Sequence, residues 1–359
     1  MRVHLLIAVL INAAANASDP PAIFKPTTVA GGGDGAVWVL DKNWPSSTPS
    51  AIEAAGDRGI TYGAHYGQVT GVQVDRIGRV WVLHRTPFRI FGPTSFNSKN
   101  VVQYDAPIAG HTIVRYPTEN ATHVDMKAGE NLFYMPHMIT IDPRGNVWVV
   151  DVGLHQVLKF DPGNLQAPAL SLGVALAPGS DDRHFCKPTD VAVAGDGSTF
   201  VSDGYCNSRV VQFDVAGRFV RSIGSGAGSE PGRFRLPHGL AWDEGAAELF
   251  VADRLNLRVQ VFDREGRYKR EYRVGFPTFG VTVRAGRLYV ATVAPVRQVR
   301  VLDAATGRPL ANITTPHRGL RGGSMPHDVA VSDSGAVFVA ESRLNRLLKY
   351  VPASPIASR

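Results

Sequence analysis

The chain reads as an all-β protein, a six-bladed β-propeller. Three observations predict this. A unit headed by a short apolar strand recurs six times, Gly/Asp turns separate short alternating strands, and no segment of helical period or linker interrupts the series. The clearest copy runs Pro188-Thr-Asp-Val-Ala-Val, the turn Gly195-Asp-Gly, Thr199-Phe-Val-Ser-Asp, Arg209-Val-Val-Gln-Phe-Asp and Gly217-Arg-Phe-Val-Arg-Ser-Ile. Each copy is therefore an apolar strand, a tight turn, a second strand closing near an acidic residue, a third strand and often a fourth.

The elements follow in chain order. Residues 1–17 read as a secretory signal: Arg2 is the positive start, Leu5–Ile11 the apolar run, and Ala15-Asn16-Ala17 the small-residue cleavage site. Residues 18–359 are then expected to form a single propeller domain. Ala36-Val-Trp-Val-Leu40 is an isolated strand ahead of the first copy. Copies begin near Val69, Pro136, Pro188, Pro237, Thr278 and Pro326, at spacings of 67, 52, 49, 41 and 48 residues. The longest spacing is stretched by a loop around Thr86 to Asn100. The last copy shows three strands before the chain ends, so residues 36–40 are expected to supply its fourth and close the ring.

Composition narrows the function classes. The apolar run is too short to span a bilayer, and no later stretch stays apolar for about 20 residues. The expected product is secreted, or soluble in the secretory lumen, without a membrane span. Cys186 and Cys206 are the only cysteines among 359 residues and read as one structural disulfide in an oxidising compartment. Asn120-Ala-Thr and Asn312-Ile-Thr are glycosylation sequons. The net charge of +7 comes from arginines scattered along strands and turns, not clustered, which argues against nucleic acid and suits an acidic ligand such as a carboxylate. Nothing calls for an obligate oligomer, so a monomer is expected.

Three Pro-His pairs stand at one register of the repeat: Pro136-His137, Pro237-His238 and Pro326-His327. They fall in copies two, four and six, while the other copies carry Thr70, Thr189 and Phe279 there. The first strand of each propeller blade lines the central channel, and alternate blades of six lie about 120° apart. The three imidazoles should thus face one another across the channel. A single such histidine would more often be a satisfied structural residue. Three at matched register predict a metal site, for which zinc with an open fourth position is the natural choice. Copper and iron have compatible ligand chemistry.

The motifs around these residues resemble one family. Phe133-Tyr-Met-Pro-His-Met-Ile-Thr-Ile-Asp, Asp151-Val-Gly-Leu-His-Gln-Val, Pro178-Gly-Ser-Asp, His184-Phe-Cys-Lys-Pro-Thr-Asp-Val-Ala-Val, Val201-Ser-Asp-Gly-Tyr-Cys-Asn-Ser-Arg and Met325-Pro-His-Asp are similar to the peptidyl-alpha-hydroxyglycine alpha-amidating lyases. The likeness runs from about Gly67 to Tyr350 and is densest between Asn131 and Asn207. It implies cleavage of peptides ending in alpha-hydroxyglycine to a C-terminally amidated peptide and glyoxylate. It implies a channel zinc on His137, His238 and His327, and a structural calcium on Asp328 with the backbone carbonyls of Val72 and Ile139. On residue type alone, Asp328 would read as a turn residue beside His327. The resemblance further implies Tyr205 as the catalytic base, Arg85 and Arg254 as active-site arginines, Met325 as a residue packed at the site, and a Cys186–Cys206 pairing beside Tyr205.

That chemistry suits the residue types. Zinc would lower the pKa of the substrate hydroxyl, a tyrosine phenolate would take its proton, and a guanidinium would pair with the carboxylate that becomes glyoxylate. An unperturbed tyrosine titrates near ~10, so the phenolate needs nearby positive charge. The sequence departs from the family in lacking a second pair of cysteines and in the run Thr86-Pro-Phe-Arg-Ile-Phe-Gly-Pro, where a difference in substrate preference or entry is expected. A stand-alone lyase is expected, dependent on a separate copper monooxygenase upstream. The rival readings are a calcium-dependent lactonase propeller, whose channel would present carboxylate and amide ligands, a non-catalytic NHL-type binding propeller, and an inactive lyase homologue.

Overall fold

Alternating strands with Asp/Gly turns fold here into antiparallel four-stranded sheets, six among the described residues. The computed structural model describes residues 36–44, 66–86, 89, 91–293, 297–316 and 324–353. The expected signal segment, 1–17, lies outside them. The first strand, β1 (Trp38–Leu40), stands ahead of the repeats. Blade 1 is β2 (Val69–Val74), β3 (Val80–His84), β4 (Ile113–Tyr116) and β5 (Met126–Ala128). Blade 2 is β6 (Pro136–Ile141), β7 (Val147–Asp151), β8 (Gln156–Phe160) and β9 (Leu170–Leu172). Blade 3 is β10 (Asp190–Val193), β11 (Thr199–Asp203), β12 (Arg209–Phe213) and β13 (Phe219–Ile223). Blade 4 is β14 (Pro237–Asp243), β15 (Glu248–Asp253), β16 (Arg258–Asp263) and β17 (Tyr268–Arg273). Blade 5 is β18 (Thr278–Arg284), β19 (Arg287–Thr292), β20 (Gln298–Asp303) and β21 (Pro309–Thr314). Blade 6 is β22 (Pro326–Val331), β23 (Val337–Glu341) and β24 (Arg346–Pro352), completed by β1.

The innermost strands β2, β6, β10, β14, β18 and β22 each touch the next, and β22 touches β2, so the ring closes around a channel. β1 pairs antiparallel with β24, Trp38 opposite Pro352 and Leu40 opposite Tyr350. The expected closing strand is therefore the one observed. The expected start of copy three at Pro188 falls two residues ahead of β10.

Turn chemistry sets the strand spacing. In blades 1 and 2, Asp75 and Asp142 accept backbone N–H bonds from the turn and an indole N–H from Trp81 and Trp148 (2.9 and 3.0 Å). Gly78 and Gly145 take the positive φ (82° and 86°) that these turns require. Apolar residues between adjacent sheets form the core, as where Met138, Val150 and Val157 of blade 2 pack on Val191, Val201 and Val211 of blade 3. The single helical turn among the described residues is a 3-10 turn, Arg254–Asn256. No helix of the described residues is long and apolar enough to cross a membrane.

Candidate metal centre and active site

Each Pro-His pair opens an inner strand at a break in strand register. The shift falls between Pro136 and Met138 in β6, between Pro237 and Leu240 in β14, and between Pro326 and Asp328 in β22. A bulge takes one residue out of the ladder and re-aims its side chain. His137, His238 and His327 are the residues so released. Their rings meet at centroid distances of 5.0 Å (His137–His238), 4.8 Å (His137–His327) and 5.2 Å (His238–His327). All three are buried, and one ligating nitrogen from each lies within 4.8 Å of the others.

The odd-numbered blades orient these rings. His137 Nδ1 lies 2.6 Å from Thr189 O, His238 Nδ1 3.3 Å from Phe279 O, and His327 Nδ1 2.7 Å from Thr70 O. The acceptors are the three residues at the histidine register of copies three, five and one. In blades 1 and 5 the same register shift, Val69/Gly71 and Thr278/Val281, frees that carbonyl from the ladder. A carbonyl can accept only from a protonated Nδ1, which leaves the Nε2 lone pair facing the centre. Burial pushes all three imidazoles towards the neutral form, His327 down to about 3. Three neutral imidazoles with oriented Nε2 atoms are the donor set that a tetrahedral metal with one open position requires.

Tyr205 stands beside this set, its hydroxyl 3.0 Å from His137 Nε2 and 3.3 Å from His238 Nε2. It is carried by the turn between β11 and β12, pinned on both sides. Asp203 accepts from Cys186 N–H, Asn207 Nδ2 and Arg209 Nε, and Cys186 is bonded to Cys206. The expected disulfide is present. Burial raises the Tyr205 pKa, and the Arg254 and Arg85 charges oppose that rise. The two arginines differ. Arg85 is buried and committed, with Nε donating to Pro136 O and Nη1 to Gln68 Oε1, both 2.8 Å, and burial lowers it to about 10. Arg254 lies over the Phe279 ring at 3.9 Å and hydrogen-bonds the Tyr205 side chain, while its buried Nε–H has no hydrogen-bond partner.

The remaining expected residues fall as follows. Met325 is partly buried ahead of Pro326, and its carbonyl accepts from Ser342 N–H. Asp328 is buried with Oδ2 accepting from Val72 N–H (2.9 Å) and Oδ1 from Val329 N–H. Ile139 is buried two residues after His137 in β6. Burial holds the Asp328 carboxyl up at about 7, and burial together with the like charge of Asp328 raises Asp190. Asn120 is exposed and accepts from Lys349 Nζ, while Asn312 is partly buried on the outer strand β21.

Sequence reasoning marked the run 86–93 as a departure bearing on substrate preference or entry but did not single out Phe91 within it, whose ring stacks on Tyr205 at 4.8 Å and 26°. It also missed the orienting role of the Thr70, Thr189 and Phe279 carbonyls. Their register was visible, but a backbone acceptor leaves no mark in residue type.

No family model matches the chain. It is 39% identical over 303 residues to the peptidylglycine alpha-amidating monooxygenase of Rattus norvegicus, covering 79% of this chain and 30% of that protein. It is 35% identical over 299 residues to a probable peptidyl-alpha-hydroxyglycine alpha-amidating lyase of Caenorhabditis elegans, covering 79% and 82%. It is 34% identical over 335 residues to peptidyl-alpha-hydroxyglycine alpha-amidating lyase 2 of Drosophila melanogaster, covering 88% and 76%. The chain thus spans about a third of the length of the monooxygenases it matches, with shares of 30% and 33%. Among solved structures it is similar in fold to a gluconolactonase of Xanthomonas campestris (TM-score 0.57, 13% identity, 94% of this chain and 99% of that one). A streptogramin B lyase shares the fold too (TM-score 0.52, 10% identity, 82% and 96%).

Proposed function

Because this chain belongs to the peptidyl-alpha-hydroxyglycine alpha-amidating lyase family, we propose that it cleaves peptides ending in alpha-hydroxyglycine, releasing an amidated peptide and glyoxylate. The observation that carries the reading is the Tyr205 hydroxyl bridging two of three buried, Nε2-presenting histidines. A lactonase with carboxylate and amide ligands would not be built this way. A binding propeller would have no use for a polar cluster of this cost in its channel.

His137, His238 and His327 would hold a zinc ion through Nε2. Bound there, zinc would supply Lewis acidity, lowering the pKa of the substrate hydroxyl. Tyr205, as phenolate, takes the hydroxyl proton. The O–H electron pair becomes the second C–O bond of the aldehyde, the C–N bond breaks, and the departing amide nitrogen gains a proton. Arg254, hydrogen-bonded to Tyr205, and Arg85 hold positive charge near the phenolate, and a guanidinium of this pair meets the substrate carboxylate. Met325 packs at the mouth. Asp328, with the Val72 and Ile139 carbonyls, would hold a structural calcium, relieving the repulsion between the buried Asp328 and Asp190. The substrate would come from a separate copper monooxygenase that hydroxylates the glycine. The setting would be the secretory lumen or outside the cell, with Asn120 and Asn312 as glycan acceptors and the enzyme acting as a monomer.

The test is glyoxylate release from a short peptide ending in alpha-hydroxyglycine. Release should stop with a chelator and return with zinc. Tyr205→Phe should lose at least about 100-fold in kcat while retaining its metal. Normal turnover by that variant would remove Tyr205 as the base. No release above the spontaneous rate from folded, zinc-loaded protein would sink the lyase reading in favour of an inactive homologue.

A further inference from the structure

We propose that Phe91 determines specificity: its ring is the wall against which the side chain preceding the alpha-hydroxyglycine packs, so the site favours an apolar, best an aromatic, residue there. The inference rests on the lyase reading above and extends it to the peptide.

Tyr205 marks the reacting point, since its hydroxyl reaches His137 and His238. Among the described residues three rings flank Tyr205: His137, His238 and Phe91. The first two belong to the histidine set, which leaves Phe91 as the apolar one. One face of it lies on the phenol ring, and the residue remains partly exposed, so it keeps surface for a ligand. The Cα of the preceding residue is about 3.8 Å from the reacting carbon across one peptide unit, so its side chain starts within a ring's reach of Tyr205. Phe96 continues the apolar surface outward at 5.7 Å from Phe91, and the Lys187 ammonium lies over Phe96 at 4.4 Å.

The segment carrying Phe91 is braced. Gly92 N–H donates to Ser95 Oγ, Gln103 N–H to Ser95 O, and Phe96 bridges to Val102. His155 of blade 2 holds Asn100 O at 3.0 Å, and Lys187 lies just ahead of blade 3. The stretch that follows Phe91, Gly92 to Gln103, is thus tied to blades 2 and 3. The charges nearby are Arg85, 5.9 Å from the Phe91 ring, Arg254 beside Tyr205, and Lys187 over Phe96. A basic side chain preceding the hydroxyglycine would meet like charge, so the expected order is Phe above Ala above Lys.

The experiment uses the zinc-loaded full chain and three peptides ending in alpha-hydroxyglycine that differ only in the preceding residue, Phe, Ala or Lys. Wild type should favour Phe over Ala by about 5- to 10-fold in kcat/KM, mostly through KM, the scale of one aromatic contact. Phe91→Ala should shrink that ratio below about twofold, and Phe91→Tyr should keep it. Wild type with no preference, or Phe91→Ala with the preference intact, would overturn the proposal. So would an equal fall in kcat on all three peptides, which would make Phe91 a support for Tyr205 only. A Phe91→Ala protein that fails to melt cooperatively leaves the decision to Phe91→Tyr and the wild-type ratio. If wild type released glyoxylate from none of the peptides, the lyase reading itself would fail and this inference with it, an outcome distinct from activity without preference.

Discussion

Tyr205 owes its position to the glycine before it. A Cβ on Gly204 would lie 1.8 Å from the carbonyl oxygen of Pro237, the residue just ahead of His238. The turn carrying the phenol therefore packs directly on the backbone carrying one of the histidines. Gly204→Ala must push these two segments apart and lengthen the 3.3 Å contact from the hydroxyl to His238. The expected result is a fall in kcat of roughly 10- to 100-fold, the scale of a displacement near 1 Å at a reacting group. Metal content should stay at the wild-type level, since the three Nδ1 carbonyl bonds are untouched. Metal analysis alongside glyoxylate release checks this, and loss of metal in the variant would show that Gly204 supports the histidines instead. At this scale the sequence spoke clearly where a side chain repeats at a register. His137, His238 and His327 could be read because a side chain identifies each. Phe91 could not, because its loop has no counterpart in the other copies.

In blades 2, 3, 4 and 6 the second strand ends in a buried acidic residue, Asp151, Asp203, Asp253 and Glu341, and these latches set how rigidly the site is held. Asp253 at the end of β15 accepts from Arg235 N–H, Asn256 Nδ2, Arg258 Nε and Gln260 Nε2. Arg258 in turn donates to the carbonyls of Glu230 and Arg233 in the preceding loop. Asp203 with Arg209 and Glu341 with Arg346 repeat the arrangement in blades 3 and 6. Asp253→Ala leaves several buried donors without an acceptor, while Arg258 keeps its ion pair with Glu271, so a loss of about 2–3 kcal/mol is expected in urea unfolding. A loss below about 1 kcal/mol would mean that water replaces the carboxylate. Glu248, at the start of β15, offers a pH test. Hydrogen bonds and charge from Arg270, then Lys269, hold its carboxyl down at about 2 against an ordinary 4.5. A depressed folded-state pKa stabilises above the unfolded value and is lost as pH falls through the folded one. The stability gap between wild type and Glu248→Gln should therefore be full above about pH 5 and close between 4.5 and 2. A gap that widened on acidification would reverse the sign and rule out this assignment. The acid-to-cation spacing of these latches was present in the repeat as Asp203/Arg209 and Asp253/Arg258. Sequence alone could not say that both members of a pair turn inward.

At the scale of the whole molecule, the ring holds only if its ends meet, and β1 makes that joint. The fold could be read well ahead of the coordinates because a propeller repeats one strand pattern: all six inner strands start within two residues of their expected positions, and residues 38–40 fill the vacant edge of blade 6. The bulges at the histidines were less visible, since a register break depends on what the partner strand does. Closure matters to the site directly, because His327 stands on blade 6 and its orienting carbonyl, Thr70 O, on blade 1. Any loosening of the joint separates a candidate ligand from the group that aims it. Trp38 is the anchor: its ring is 1% exposed, its Nε1–H donates to Gly335 O at 3.0 Å, and it meets the Tyr289 ring edge-on at 6.2 Å. Trp38→Ala removes a buried indole from the core shared by blades 5 and 6, with an expected loss of about 3–5 kcal/mol. Because the joint steadies blade 6, which carries His327, zinc affinity should fall with it, while Phe91-dependent peptide preference, carried by blades 1 to 3, should persist in the protein that remains loaded. Zinc titration of the purified variant, read beside its unfolding curve, separates the two effects. Unchanged zinc affinity in a clearly destabilised variant would show that the inner strands hold the histidines without help from the outer joint.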